Sequence, residues 1–175
     1  WARRCVYETD LYSIPYEYYE DYGIRKYGAH GISISYVAPR AAKMLKKNPN
    51  LVNLIVCHLG SGASVTAVKR GKSYDTSMGI SPLTGVTMGT RSGDFDPSAL
   101  QRLMHKTGMN IDEAIDVLNY KSGLLGISGV SSDMRDLIES KDKRAKLARK
   151  IFINRVVRYV GAYAAELGRI DAVVF

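Results

Sequence analysis

The sequence predicts an α/β fold, and three features carry the prediction. Leu51 to Leu59 (LVNLIVCHL) is an apolar run of strand length, rich in branched side chains and closed by Gly60-Ser61-Gly62. Ala63 to Lys69 and Lys72 to Thr76 follow as two further strand-like stretches across an Arg70-Gly71 turn, which together make an antiparallel meander. Late in the chain, Leu147, Ile151, Phe152, Val156, Tyr159, Val160, Tyr163 and Leu167 recur at helical spacing as one stripe, ended by Gly168.

The remaining elements follow in order. Eight of the 12 tyrosines precede Val37, so the opening segment differs in composition from the rest. Ile14 to Tyr22 reads as a short tyrosine-rich helix ended by Gly23, followed by a brief strand over Arg25 to Ala29 and a helix from Ser35 to Lys47. Lys46 to Asn50 is turn chemistry. Ser77 to Asp96 is glycine-rich without periodicity, which predicts a long functional loop. Helices are expected over Pro97 to Lys106 and Ile111 to Asn119, the second with Asn110 and Glu113 placed as a capping box. Ser122 to Ser132 reads as a Gly/Ser-rich connection into a helix over Asp133 to Glu139, and Ile170 to Phe175 as the start of a strand.

At 175 residues the length suits one domain, or two only if both are small. Hydrophobic residues at 46% and charged residues at 24% exclude wholesale disorder. No apolar run approaches the roughly 20 residues that span a bilayer, and no signal-peptide pattern opens the chain. Cys5 and Cys57 make no disulfide framework and fit a reduced, cytoplasmic protein. The chain opens at Trp1 and stops at Phe175 inside an apolar run, so it is expected to be part of something longer.

The formal charge of +8 raises nucleic acid or an anionic small molecule as a partner. Lys141 to Arg158 carries eight Lys/Arg against one acid, which equally reads as the solvated face of a helix. Four places carry candidate chemistry. His58-Leu59-Gly60-Ser61-Gly62 ends the apolar strand, where glycines expose consecutive N–H groups to phosphate oxygens or simply make a turn. The lysine of a Walker motif is missing, which excludes a P-loop NTPase. Arg91 offers a planar fork for carboxylate or phosphate, and Asp94 or Asp96 is placed to orient it or face a metal, with helix capping the alternative for Asp96. His30 lies between Gly28-Ala29 and Gly31, where another molecule can approach closely, and Asp133-Met134-Arg135 opens a helix. On residue chemistry alone this is an α/β protein that binds phosphate or another anion.

Six stretches together resemble the acetate kinases and the wider short-chain carboxylate kinases. They are Ser13-Ile14-Pro15-Tyr16-Glu17-Tyr18-Tyr19, YGIRKYGAHG (Tyr22–Gly31), CHLGSGAS (Cys57–Ser64), DTSMGISPLTGVTMGTRSGDFDP (Asp75–Pro97), KSGLLGISGVSSDMR (Lys121–Arg135) and GRIDAVVF (Gly168–Phe175). They run in family order across nearly the whole chain. The resemblance implies an incomplete ribonuclease-H-like α/β domain of the acetate and sugar kinase/Hsp70/actin superfamily. Residues 1–175 would be a central portion, mostly the start of the C-terminal ribonuclease-H-like domain.

The same resemblance implies in-line phosphoryl transfer from ATP to acetate with Mg²⁺, reversibly giving acetyl phosphate and ADP, in a cytoplasmic homodimer with no nucleic acid or membrane partner. Carried over by position, His30 and Arg91 stabilise the transferring group. His58, Leu59, Gly60, Ser61 and Gly62 contact the ATP phosphates, Asp133, Met134 and Arg135 the nucleoside, and Ala29 and Pro82 the acyl pocket. No residue of the chain is assigned to the metal.

Several positions depart from the family. Ala29 stands where the family has Phe, and Ile32-Ser33-Ile34 where it has Thr-Ser-His, so a second histidine is replaced by Ile34; Trp1 to Thr9 matches poorly. The family's catalytic aspartate falls before Trp1, and its second Gly-rich nucleotide loop after Phe175. The chain as it stands is therefore expected to be inactive alone. The alternatives are a propionate or butyrate kinase, on Ala29, and a non-catalytic truncated homologue, on Ile34 and Trp1–Thr9.

Overall fold

A computed structural model describes residues 11–175; Cys5 and the Trp1–Thr9 stretch lie outside the described residues. The elements run α1 (Glu17–Tyr22), α2 (Gly31–Met44), β1 (Leu54–Leu59), β2 (Ala63–Lys69), β3 (Lys72–Thr76), α3 (Pro97–Thr107), α4 (Ile111–Tyr120), α5 (Gly123–Ser128), α6 (Met134–Glu139), α7 (Lys143–Leu167) and β4 (Ala172–Val174). One sheet has the order β3-β2-β1-β4. β2 and β3 are antiparallel, with Thr66 opposite Thr76, and β1 and β4 are parallel, with Leu54 opposite Ala172 and Val56 opposite Val174. The chain forms two compact units: the described residues through Leu59 with Ser64–Pro82 and Arg158–Phe175, and Gly60–Ala63 with Leu83–Val157.

In the first unit α2 begins at Gly31, ahead of the expected Ser35, and holds Pro39 in its interior. An interior proline removes one helix N–H and ordinarily costs about 3 kcal/mol. Packing offsets it, because Ile34, Ala38, Ala41 and Ala42 lie on one face and bury against Val52, Leu54, Val56 and Val68. Among the described residues, the expected strand over Arg25 to Ala29 reduces to a single bridge between Leu11 and Arg25. The N–H groups of Tyr27 and Gly28 instead both donate to the Gly79 carbonyl, at 3.0 and 3.1 Å, which holds the segment as a loop.

The parallel return of β4 beside β1 is locked at its start. The Asp171 carboxylate accepts from the Asn53 N–H at 2.8 Å and pairs with Lys47 and with Arg169, the latter at 3.1 Å. The Asn53 side chain donates to the Arg169 carbonyl at 3.0 Å and accepts from the Arg70 N–H at 2.9 Å, which ties the β2–β3 turn into the same knot.

The second unit is helical. Asp96 caps α3 by accepting from the Ser98 N–H at 2.7 Å, and Asn110 with Glu113 completes the capping box of α4. The Gly/Ser-rich connection over Ser122 to Ser132 contains a helix, α5, that local sequence does not signal. Leu124 and Leu125 donate their N–H groups to the carbonyls of Met88 and Gly89, both at 2.9 Å, so the long loop supplies what the short helix lacks. Leu124, Leu137, Ala145 and Ala148 form the core, with Ile127, Met134 and Phe152 packed on it. At its start α7 therefore buries Ala145 and Ala148, whereas Leu147 of the expected stripe is 49% exposed. Small residues there let α5 and α6 approach the helix closely. Arg144, one member of the basic run, donates to the Ile127 and Gly126 carbonyls at 2.8 and 3.0 Å and so closes the C-terminal end of α5.

The Asp171 knot makes a pH-dependent prediction. Lys47 and the Asn53 N–H push its carboxyl down to about 2. A carboxyl held below its unfolded value near 3.9 adds stability that is full above that value and lost as pH falls through about 2. Asp171→Asn is therefore expected to destabilise the fold at pH 6, and the gap from the parent protein should narrow steadily between pH 4 and pH 2. Urea unfolding of both forms across that range measures it, and a gap constant with pH would refute the role of this carboxylate.

Candidate functional site

Each unit assembles part of the predicted site. In the first, β1 is buried from Leu54 to Cys57 and emerges at His58, which is half-buried, and Leu59, which is 40% exposed. Burial pushes the Cys57 thiol up to about 11, so it is an inert core side chain, not a nucleophile. His30 sits immediately ahead of α2 with φ 68° and ψ 21°, a left-handed conformation that costs a non-glycine residue energy. The strain accompanies a defined geometry. The His30 ring lies flat on the His58 ring, with centroids 3.8 Å apart and planes 12° from parallel. His30 Nδ1 is hydrogen-bonded to Ser64 Oγ at 2.7 Å, and His58 Nδ1 to Ser33 Oγ at 3.0 Å.

The loop leading to this pair is pressed onto β3. Gly28 has φ +72°, and a Cβ added there would stand 2.4 Å from Thr76 Cγ2, so no larger residue fits. Ala29 is half-buried beside it, and Pro82 lies exposed at the end of the unit's middle segment.

In the second unit three sequence-predicted motifs converge on Gly89. Its N–H donates to the Ser61 carbonyl at 3.2 Å. A Cβ at Gly89 would lie 3.3 Å from the Ser132 carbonyl oxygen and 3.4 Å from that of Ser61. The Gly60–Gly62 turn, the Met88–Arg91 segment and the residue ahead of Asp133 thus meet backbone to backbone. The Met88–Arg91 segment is pinned from its other side as well. Ser122 donates to the Thr90 carbonyl at 2.9 Å, Thr90 Oγ1 donates to the Asn119 carbonyl at 2.9 Å, and the Met88 N–H donates to the Arg91 carbonyl at 3.1 Å. Half-buried Arg91 is held against Met88, its Nη1 donating to Sδ at 3.6 Å.

The acidic candidates serve the backbone. Asp94 accepts from the Gly85 N–H at 2.8 Å and returns its own N–H to the Gly85 carbonyl at 2.8 Å, closing the loop, and Asp96 is the α3 cap. Among the described residues no three His, Cys, Asp or Glu side chains gather as a metal cage.

Asp133 caps α6 through the Arg135 N–H at 2.8 Å and takes the Arg135 fork, with Nη2 to Oδ2 at 2.6 Å. Arg135 holds the Asp133 carboxyl down at about 2. Being exposed, the pair contributes little to stability, and it presents a neutral, planar face suited to a sugar or a base rather than to phosphate. Met134, between them, turns toward the core and lines an apolar groove of about 440 Å³ with Ile138, Phe152 and Ile153. Sequence reasoning missed Ser33, Ser64, Gly89 and Ser132, because contacts between segments far apart leave no local spacing to read.

The backbone crowding behind Arg91 is testable. Gly123 has φ +61°, and a Cβ there would stand 2.3 Å from the Met88 carbonyl oxygen and 2.9 Å from the Arg91 N. Gly108 has φ +75° and nothing within 4 Å. Gly108→Ala should cost only the left-handed penalty, about 1–2 kcal/mol, and Gly123→Ala at least about 1 kcal/mol more. Equal losses in urea unfolding would show that the segment is not crowded.

Similarity to known proteins extends over the whole described chain. The model described as the Acetokinase family matches residues 3–175. The acetate kinase of Fructilactobacillus sanfranciscensis is 60% identical over 168 residues, 94% of this chain and 42% of that protein. That of Bacillus cytotoxicus is 55% identical over the same shares. Among solved structures, the crystal structure of Porphyromonas gingivalis acetate kinase superposes with a TM-score of 0.91 at 44% identity, over 94% of this chain and 42% of that one. A propionate kinase from Francisella tularensis gives 0.90 at 47% identity, over 95% and 43%. The fold is accordingly that of the acetate and sugar kinase/Hsp70/actin superfamily, and the chain spans about two-fifths of the length of these relatives.

Proposed function

The chain belongs to the acetokinase family, and from that premise we propose that the full-length protein transfers the γ-phosphoryl group of ATP to acetate, reversibly, giving acetyl phosphate and ADP. A carboxylate oxygen of acetate forms the new bond to phosphorus as the bond to the bridging oxygen of ADP breaks. Residues 1–175 are read as a central portion, mostly the start of the C-terminal ribonuclease-H-like domain. The observation that supports the reading most directly is the His30–His58 stack at the end of β1, followed in the chain by Gly60-Ser61-Gly62.

Phosphoryl transfer asks a protein mainly for positioning and for donors aimed at developing charge. His58, Leu59 and the Gly60–Gly62 turn are assigned to the ATP phosphates, where close backbone approach suits glycine. Asp133, Met134 and Arg135 are assigned to the nucleoside, Arg91 and His30 to the phosphoryl group in transit, and Ala29 and Pro82 to the alkyl end of the acid. The family relation further supports Mg²⁺ accompanying the nucleotide, a homodimer and a cytoplasmic location. Most Lys and Arg side chains of the basic run are exposed on α7, which fits the solvated face of a helix.

Arg91→Ala in the full-length protein should lower kcat about 100-fold, the equivalent of roughly 3 kcal/mol, while ATP affinity changes far less. Hydroxamate-coupled kinetics and nucleotide titration check it, and near-normal kcat would make Arg91 structural.

A second reading, a propionate or butyrate kinase, is favoured by Ala29 where the family has Phe and by the propionate kinase among the similar structures. Each buried methylene is worth roughly 0.8 kcal/mol, and one-methylene discrimination runs about 10–200-fold. Ala29→Phe should therefore shift kcat/KM toward acetate and away from propionate and butyrate. Ratios unchanged within about twofold would remove Ala29 from the pocket and this reading with it.

A further inference from the structure

Ser64 lies on β2 and is fully buried, between Ala63 and Val65, with Thr66 the other buried polar residue of the strand. Its hydroxyl reaches across 34 residues of sequence to His30 Nδ1, and Ser33, in the first turn of α2, reaches His58 Nδ1 across 25. The two bridges cross. The histidine ahead of α2 is held by the sheet, and the histidine at the end of the sheet's β1 is held by α2. Because the rings are stacked at 3.8 Å, a tilt of either one displaces the other. A serine hydroxyl donates to a bare Nδ1 or accepts from a protonated one, so it can fix either tautomer.

We propose that Ser64 and Ser33 are positioning residues, holding His30 and His58 by Nδ1 as one stacked unit so that each ring's Nε2 edge is aimed at the phosphoryl chain of the substrate. The proposal rests on the phosphoryl-transfer reading above. A strained φ of 68° at His30 fits this role, since such a conformation persists only where its surroundings over-determine it. Ser64 acts through the ring given to the group in transit, and Ser33 through the ring given to the ATP phosphates. Their losses should therefore separate into different kinetic constants.

The test uses the full-length protein with Ser64→Ala, Ser33→Ala, Ser33→Thr, His30→Ala and the double variant Ser64→Ala/His30→Ala. Ser64→Ala is expected to lower kcat about tenfold or more with little change in KM for ATP. Ser33→Ala, in a helix that alanine favours, is expected to raise KM for ATP several-fold, and Ser33→Thr to restore it. In the His30→Ala background, Ser64→Ala should add almost nothing, because a residue acting through another has no separate effect once that partner is gone. Additive losses, or single alanine variants within twofold of the parent, would overturn the positioning role. Should Ser64→Ala fail to fold, the Ser33 pair decides alone: no rise in KM, or no recovery with threonine, overturns it. If His30→Ala itself leaves kcat intact, the fault lies in the phosphoryl-transfer reading of His30, and the Ser64 assignment falls with it.

Discussion

A strand with both faces buried confines its chemistry to its ends, and β1 imposes that constraint here. Between β2 and β4 it is covered from Leu54 through Cys57, where an uncompensated polar side chain would be costly. One end is therefore given to closure. There Asn53 and Asp171 exchange main-chain and side-chain hydrogen bonds, so that β4 returns in register beside β1. At the other end the burial relaxes first at His58, whose ring is stacked on His30. The α2 face that covers the sheet through Ile34, Ala38 and Ala42 also fixes where Ser33 and His30 stand, so core packing and site geometry share one helix.

What the sequence made legible follows from how local each signal is. The three strands of the meander, the Asn110–Glu113 box and the Asp96 cap are settled by a handful of adjacent residues, and they stand where their residue types place them. α5 was hidden because its first N–H groups bond to carbonyls of the Met88–Arg91 segment, more than 30 residues earlier in the chain. The Arg25–Ala29 strand was expected from composition, but among the described residues only Leu11 bridges to it, and the N–H groups of Tyr27 and Gly28 turn to Gly79 instead. The stripe on α7 was read from large side chains, while at its start the buried positions are the small ones, Ala145 and Ala148. In the site, the glycines and histidines could be named from motifs. Their serine partners could not, because a lone serine carries no periodicity.

Charged residues in the Gly-rich stretches divide by the same logic. Asp94, Asp96 and Asp133 each accept a backbone N–H within their own loop or helix start, and Arg144 donates to two carbonyls at the end of α5. These are requirements of chain turns and helix ends, which leave orphaned backbone groups wherever regular structure stops. An acid or a base in such a segment is thus first a structural element. Asp133 meets two such demands at once, since the carboxylate that caps α6 also holds the exposed Arg135 fork.

The two departures from the family pattern carry different weight once the packing is known. At position 34 an imidazole would be enclosed by the α2–sheet core, where Ile34 is 5% exposed among Ala38, Val56 and other apolar side chains, and it would need a polar partner there. Isoleucine needs none. The exchange substitutes apolar packing for a buried polar group and leaves the His30–Ser64 and His58–Ser33 bridges whole. A decaying site would be expected to lose such long-range polar pairs early, because a buried serine and a strained histidine are of no benefit to a bare scaffold. Ile34 therefore gives no support to a non-catalytic homologue. Ala29 differs in kind. It is half-buried on the loop that leads to His30, beside a glycine that has no room for a side chain, and it is not among the residues of the α2–sheet core. A change of side chain at that position therefore leaves the α2–sheet core as it is.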